Sequence, residues 1–212
     1  MTLFLDGPAG RLEAVLWEPL RGEPTAAAVV AHPHPLHGGS MKNNVVHRAG
    51  RGLQAAGMAV LRFNFRGVSR SEGTHDGTGA EVGDYLAAIG YLAETYPGTP
   101  LVAGGFSFGA RTAMEAVLEP GQGNLIEQVL LIAPPVLAYP CEALARIPGP
   151  GLLLSAGRDE FGSASDVVER FPDITERLEV DEIPDVDHFF SGALPELSER
   201  VRSWGVRALQ RA

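Results

Sequence analysis

Short apolar runs and longer helical patterns alternate along the chain. RLEAVLW (11–17) reads as a strand, and AAAVVAH (26–32) is a continuous apolar run ending in a cluster of prolines and glycines. Such an uninterrupted run marks a strand covered on both faces. Segment 43–57 places Val46, Ala49, Leu53 and Ala56 at helical spacing, with Gly57 as the stop. MAVLRFNF (58–65) is the next strand. Thr78 followed by Glu81 predicts a capping box, and Val82, Leu86, Ile89 and Tyr96 continue one helical face up to Pro97 and Gly98. LVAGGF (101–106) reads as a strand and FGARTAMEAVLE (108–119) as a helix. Strands follow at 128–133, 151–157 and 178–183. A last helix begins near Pro195, with Leu194, Leu197, Val201 and Trp204 on one face.

This alternation predicts an α/β fold: a mostly parallel central sheet with helices on both faces, in which the first one or two strands can run antiparallel. The 212 residues are read as one domain, 1–212. In such sheets ligands bind beyond the carboxyl ends of the strands. Chemistry is therefore expected at His32 to Gly39, Asn64 to Ser71, Ser107, Pro134, Arg158 to Phe161 and Pro184 to Phe190.

Composition narrows the partners. A formal net charge of -9 argues against nucleic acid and anionic membrane surfaces, both of which call for a basic face. The single cysteine, Cys141, allows neither an intrachain disulfide nor a cysteine metal cluster. The opening MTLFLDGPAGR lacks the basic start and apolar run of a signal peptide. No apolar run approaches the ~20 residues that span a bilayer. The expectation is a cytoplasmic protein.

Residues 105–109 read Gly-Phe-Ser-Phe-Gly, a G-x-S-x-G pattern joining a strand directly to a helix. On such a turn the Ser107 hydroxyl stands clear of the sheet, and Gly105 and Gly109 let strand and helix approach closely. The plainer reading is a helix start capped by Ser107. A nucleophilic serine needs a base, and the base needs an orienting carboxylate, expected in the chain order serine, acid, histidine. Asp159 follows one strand end and His188 another. Glu160 is the rival acid. Asp187 reads as a solvated loop charge, and His47 and His75 read as surface residues.

Ser107 within its glycines, Asp159 and His188, in that order on alternating strands and helices, resemble the α/β-hydrolase superfamily. HPHPLHGGSMKNNVV (32–46) and RFNFRG (62–67) narrow the resemblance to small bacterial serine hydrolases described as predicted esterases. It covers nearly the whole chain. It departs at Pro33, where relatives carry glycine, and at Ser69, where the following loop often carries glycine. The resemblance implies a carboxylesterase that uses a Ser-Asp-His triad and an acyl-enzyme. A thioesterase or peptidase with the same triad is the alternative, as is a non-catalytic binding protein on this fold. The expected partner is a small-molecule ester, with no cofactor.

The histidine-rich loop AHPHPLHGGS (31–40) has two readings. As a metal site it lacks a helical i, i+4 histidine pair, a nearby carboxylate and a cysteine, so no metal is expected. As an oxyanion loop it supplies a backbone N–H to partner that of Phe108. Pro33 and Pro35 have no N–H, which leaves His34 or Leu36. His34 follows the His-Pro that stands for the family's His-Gly, and is favoured, with Leu36 in reserve. His32, at a strand end, reads as a structural hydrogen-bonding residue. His37, Phe106, Tyr139 and Phe189 are candidate pocket walls. Only 17 residues, Pro134 to Pro150, fill the place where relatives with large acyl groups carry a lid, so small or short-chain acyl esters are expected.

Overall fold

A computed structural model describes residues 2–122 and 125–209. Its strands are β1 (Thr2–Gly7), β2 (Gly10–Trp17), β3 (Ala26–Ala31), β4 (Met58–Phe63), β5 (Leu101–Phe106), β6 (Ile126–Ile132), β7 (Gly151–Ala156) and β8 (Glu179–Ile183). Its helices are α1 (Asn44–Ala55), α2 (Glu81–Thr95), α3 (Phe108–Val117), α4 (Ala164–Arg170) and α5 (Leu194–Leu209). The strands form one eight-stranded sheet in the order β1-β2-β4-β3-β5-β6-β7-β8. β1–β2 and β2–β4 are antiparallel, and every later pairing is parallel.

The alternation of side chains along each strand divides the interior into two cores. Val29, Leu61, Ala103, Leu131 and Leu153 face α2, α3 and α4 through Tyr85, Ile89, Met114 and Val167. Their neighbours Val30, Val60, Val102, Leu130 and Leu152 face α1 and α5 through Val46, Leu53, Leu197, Val201 and Trp204. β3, β4, β5 and β7 are buried at every position, in keeping with their largely apolar runs, which only Arg62 in β4 and Ser155 in β7 interrupt. Helices α1 and α5 pack so closely that a Cβ on Gly52 would lie 2.5 Å from the Ser198 carbonyl oxygen. Among the described residues no helix is long and apolar enough to cross a membrane.

The sequence pattern misses two elements. β1 pairs with β2 through the turn at Gly7–Gly10, and only Leu5 of its six residues is fully buried, so its apolar signal is thin. The short helix α4 begins at a true capping box: Ser163 Oγ accepts from the Asp166 N–H, and the Asp166 carboxylate accepts from the Ser163 N–H. The box expected at Thr78 and Glu81 is absent. α2 starts after Ala80 with no side-chain cap, and Thr78 Oγ1 donates to Asp76 instead. The buried stripe of α2 also differs from the expected one. It runs Glu81, Asp84, Tyr85, Ala88, Ile89 and Leu92, leaving Val82 and Leu86 only partly covered. Polar side chains hold this stripe: Tyr85 Oη donates to the Gly104 carbonyl, and Asp84 takes a bidentate Arg66.

Candidate active site

Ser107 sits between β5 and α3 at φ 55° and ψ -118°. A serine in this positive-φ conformation is strained, and persists because its surroundings fix it. Its N–H donates to the Ile132 carbonyl of the neighbouring strand. A Cβ on Gly105 would overlap Gly109, and one on Gly109 would lie 2.5 Å from the Ala31 carbonyl oxygen, so both positions require glycine. The Ser107 hydroxyl makes no cap to the helix, which removes the plain capping reading.

The hydroxyl meets His188 Nε2 at 3.0 Å. His188 Nδ1 lies 2.7 Å from Asp159 Oδ2, with the two side chains 4% and 0% exposed. The other Asp159 oxygen accepts the Phe161 N–H at 2.8 Å, so both are occupied. Since a carboxylate accepts, Nδ1 carries the proton and Nε2 presents its lone pair to the serine. Glu160, the rival acid, is exposed. Asp187 is exposed as expected, but also shapes the loop: its Oδ1 accepts from the Phe189 and Ser191 N–H groups, bonds that lower its pKa.

The loop after β3 is fixed mainly through its backbone. His32 is fully buried, and both ring nitrogens bond to main chain. Nδ1 lies 2.6 Å from the Pro33 oxygen, and Nε2 accepts the Phe65 N–H at 3.1 Å. Burial lowers its pKa to about 4. The Pro33 carbonyl and the His34 N–H belong to one peptide plane, so His32 sets the direction of that N–H. The His34 carbonyl accepts from both His37 and Gly39. Gly39 packs on the Pro33 carbonyl, where no Cβ fits. Neither the His34 nor the Phe108 N–H has an acceptor among the described residues. Leu36, the reserve donor, is already engaged: its N–H bonds to His34 Nδ1 at 3.2 Å, and its side chain is exposed. Burial, then the neighbouring His37 and His75 rings, push the His34 imidazole below the ordinary histidine range.

A cavity of about 340 Å³ opens over Ser107 and His188. His37, Tyr139 and Phe189 line it, as expected. Phe106 does not. It is fully buried beneath the His188 ring at 4.9 Å, because the residue before the serine points to the opposite face of the sheet. Phe161 takes its place as a wall, 4.8 Å edge-on to His188. The segment between β6 and β7 holds only the 3-10 turn Glu142–Ala145 as regular structure, and among the described residues no large lid covers the site. Cys141 is buried there, which pushes its thiol up to about 12. Among the described residues no group of three or more histidine, cysteine, aspartate or glutamate side chains is placed to hold a metal ion.

His75 is not the surface residue expected. Its side chain is 6% exposed, and Nδ1 lies 2.6 Å from Oε1 of Glu81, which is 1% exposed. Its ring packs edge-on against His34 at 5.0 Å. Arg66 pins the preceding stretch to α2 through Asp84 and the Ala80 carbonyl.

A mostly parallel sheet bearing a strained serine at a strand–helix turn, within reach of a histidine from the last loop, defines the α/β serine hydrolases. Residues 24–149 match the model of the Hydrolase_4 family, described as serine aminopeptidase, and the chain belongs to that family. It is 36% identical over 212 residues to an uncharacterized protein of Rickettsia prowazekii, covering 95% of this chain and 87% of that protein. Among solved structures, an α/β serine hydrolase homologue from Coxiella burnetii superposes with a TM-score of 0.88 at 30% identity, over 96% of both chains. An α/β serine hydrolase without a lid from Xanthomonas campestris gives 0.87 at 30% identity, over 98% of this chain and 94% of that one.

Proposed function

We propose that this hydrolase is a carboxylesterase acting on small or short-chain acyl esters. The observation that carries the reading is the hydrogen-bonded line from Ser107 through His188 to Asp159, opening into an uncovered cavity with aromatic walls. His188 takes the Ser107 proton as the oxygen attacks the ester carbonyl. Asp159 holds the imidazole in place and stabilises its charged form. The tetrahedral oxyanion is received by the N–H groups of Phe108 and His34. His188 then protonates the departing alcohol, and a water activated by the same histidine releases the acid. His37, Tyr139, Phe161 and Phe189 surround the apolar part of the ester.

The test is covalent labelling with a fluorophosphonate, comparing the parent with Ser107→Ala. The parent is expected to label and the variant not. A parent that fails to label, or a variant that labels as fast, overturns the reading. The family's description as serine aminopeptidase keeps a peptidase in view. Matched ester, thioester and amide substrates separate the two, with the ester expected to turn over fastest.

A further inference from the structure

A second cavity, of about 270 Å³, adjoins the first. His34, Phe108 and Tyr139 line both, so these three residues form the partition between them. The second cavity is more polar than the first. His75, Glu81 and Arg111 line it, and each has hydrogen-bonding capacity left over. Four buried side-chain atoms lack a partner among the described residues, and Glu81 Oε2 and Arg111 Nε are two of them. The His75 ring has one nitrogen on Glu81, and its Nε2 has no protein partner among the described residues.

Each of the acidic and basic side chains His75, Glu81, Arg111 and Glu115 already has one partner in this chamber. Arg111 pairs with Glu115 at 2.8 Å, and His75 lies against Glu81. What remains is the His75 Nε2 lone pair, together with an Arg111 N–H and a Glu81 oxygen that are unmet and buried within the chamber wall. An ammonium group satisfies only the acceptors, and a carboxylate only the donor. A hydroxyl both gives and takes a hydrogen bond. Unmet buried polar groups are costly, and a ligand that satisfies them is selected over an analogue that does not.

We propose that the second chamber is a subsite for a neutral, hydroxyl-bearing end of the substrate, read by His75, Glu81 and Arg111. The assignment rests on Ser107 being the nucleophile of an esterase. The substrate class becomes an ester whose apolar part lies over Ser107 and whose other part carries hydroxyls past the partition.

The test compares kcat/KM within matched pairs. Glycerol monobutanoate against propyl butanoate places hydroxyls on the alcohol, and propyl glycerate against propyl propanoate places them on the acyl group. Choline butanoate supplies a cationic comparison. In the parent, one hydroxylated ester is expected to exceed its apolar match by roughly tenfold or more, the effect of about one added hydrogen bond. That ratio is expected to fall to within about twofold of one in His75→Phe or Arg111→Leu, each scored against its own apolar ester. Fluorophosphonate labelling reports which variants remain folded. Ratios near one in the parent, a preference that survives in both folded variants, or a larger preference for the choline ester overturns the subsite while leaving the esterase reading intact. A parent that does not label overturns both.

Discussion

The molecule contains two buried histidine–carboxylate pairs of nearly the same geometry. His188 and Asp159 meet at 2.7 Å, and His75 and Glu81 at 2.6 Å, with each side chain 6% exposed or less. They differ in what lies at Nε2. His188 meets a serine hydroxyl held on a strained turn, and His75 meets no protein group among the described residues. A histidine–carboxylate pair is therefore common equipment for fixing a tautomer and an orientation. The nucleophile at the end of one pair, and the open chamber at the end of the other, assign them different work.

Several measurements sharpen that contrast. The largest effect is expected from Ser107→Ala, which should lower ester hydrolysis by roughly 10⁴-fold or more. A smaller loss would mean that the serine is not the attacking group. Next, Asp159→Asn should cost about 10⁴ in kcat by upsetting the His188 tautomer. The same amide substitution at the other pair, Glu81→Gln, should cost at least a hundredfold less. Equal losses would abolish the distinction between the pairs.

A third histidine provides a stability measurement. His32 is buried and neutral, with its folded pKa near 4 against 6.5 in the unfolded chain. The unfolded state binds its proton first as pH falls. The His32 contribution is therefore complete above about pH 6.5 and is lost progressively down through pH 4, by about 3 kcal/mol. Urea unfolding of the parent and His32→Gln between pH 8 and pH 4 reads this as a difference between the two that narrows with acid. A constant difference would remove His32 from the acid sensitivity of the fold. The smallest effect concerns His34→Ala. The backbone N–H survives the change, so activity should fall no more than about tenfold; a loss as large as that of Ser107→Ala would give the imidazole itself a chemical role.

The parallel sheet and the order of Ser107, Asp159 and His188 were legible because buried strands leave unbroken apolar runs and the motif lies at a strand–helix junction. β1 was not, because only Leu5 of that strand is fully buried. His75 and Glu81 were missed for a different reason. Hydrophobic patterning treats a charged residue as a surface residue, and their burial depends on each other and on the packing of the loop against α2 and α3. Phe106 and Phe161 were indistinguishable by type. Alternation along β5 could have placed Phe106 beneath the sheet, whereas Phe161 lies in a turn, its N–H on Asp159 and its ring against His188, where no strand alternation applies. The true capping box at Ser163 and Asp166 was readable, but it introduces a seven-residue helix with little apolar periodicity.

The partition between the chambers has a consequence for redesign. It is built from His34, Phe108 and Tyr139, which come from three separate segments of chain. Two of them are proposed to serve the reaction through the backbone alone, so their side chains are architecturally independent of the chemistry. Trimming His34 and Tyr139 would merge the two cavities into one trough while the amides stay where His32 and α3 hold them. Evolution or an engineer can thus move an interior wall of this enzyme, and reshape what it accepts, while the reacting groups keep their places.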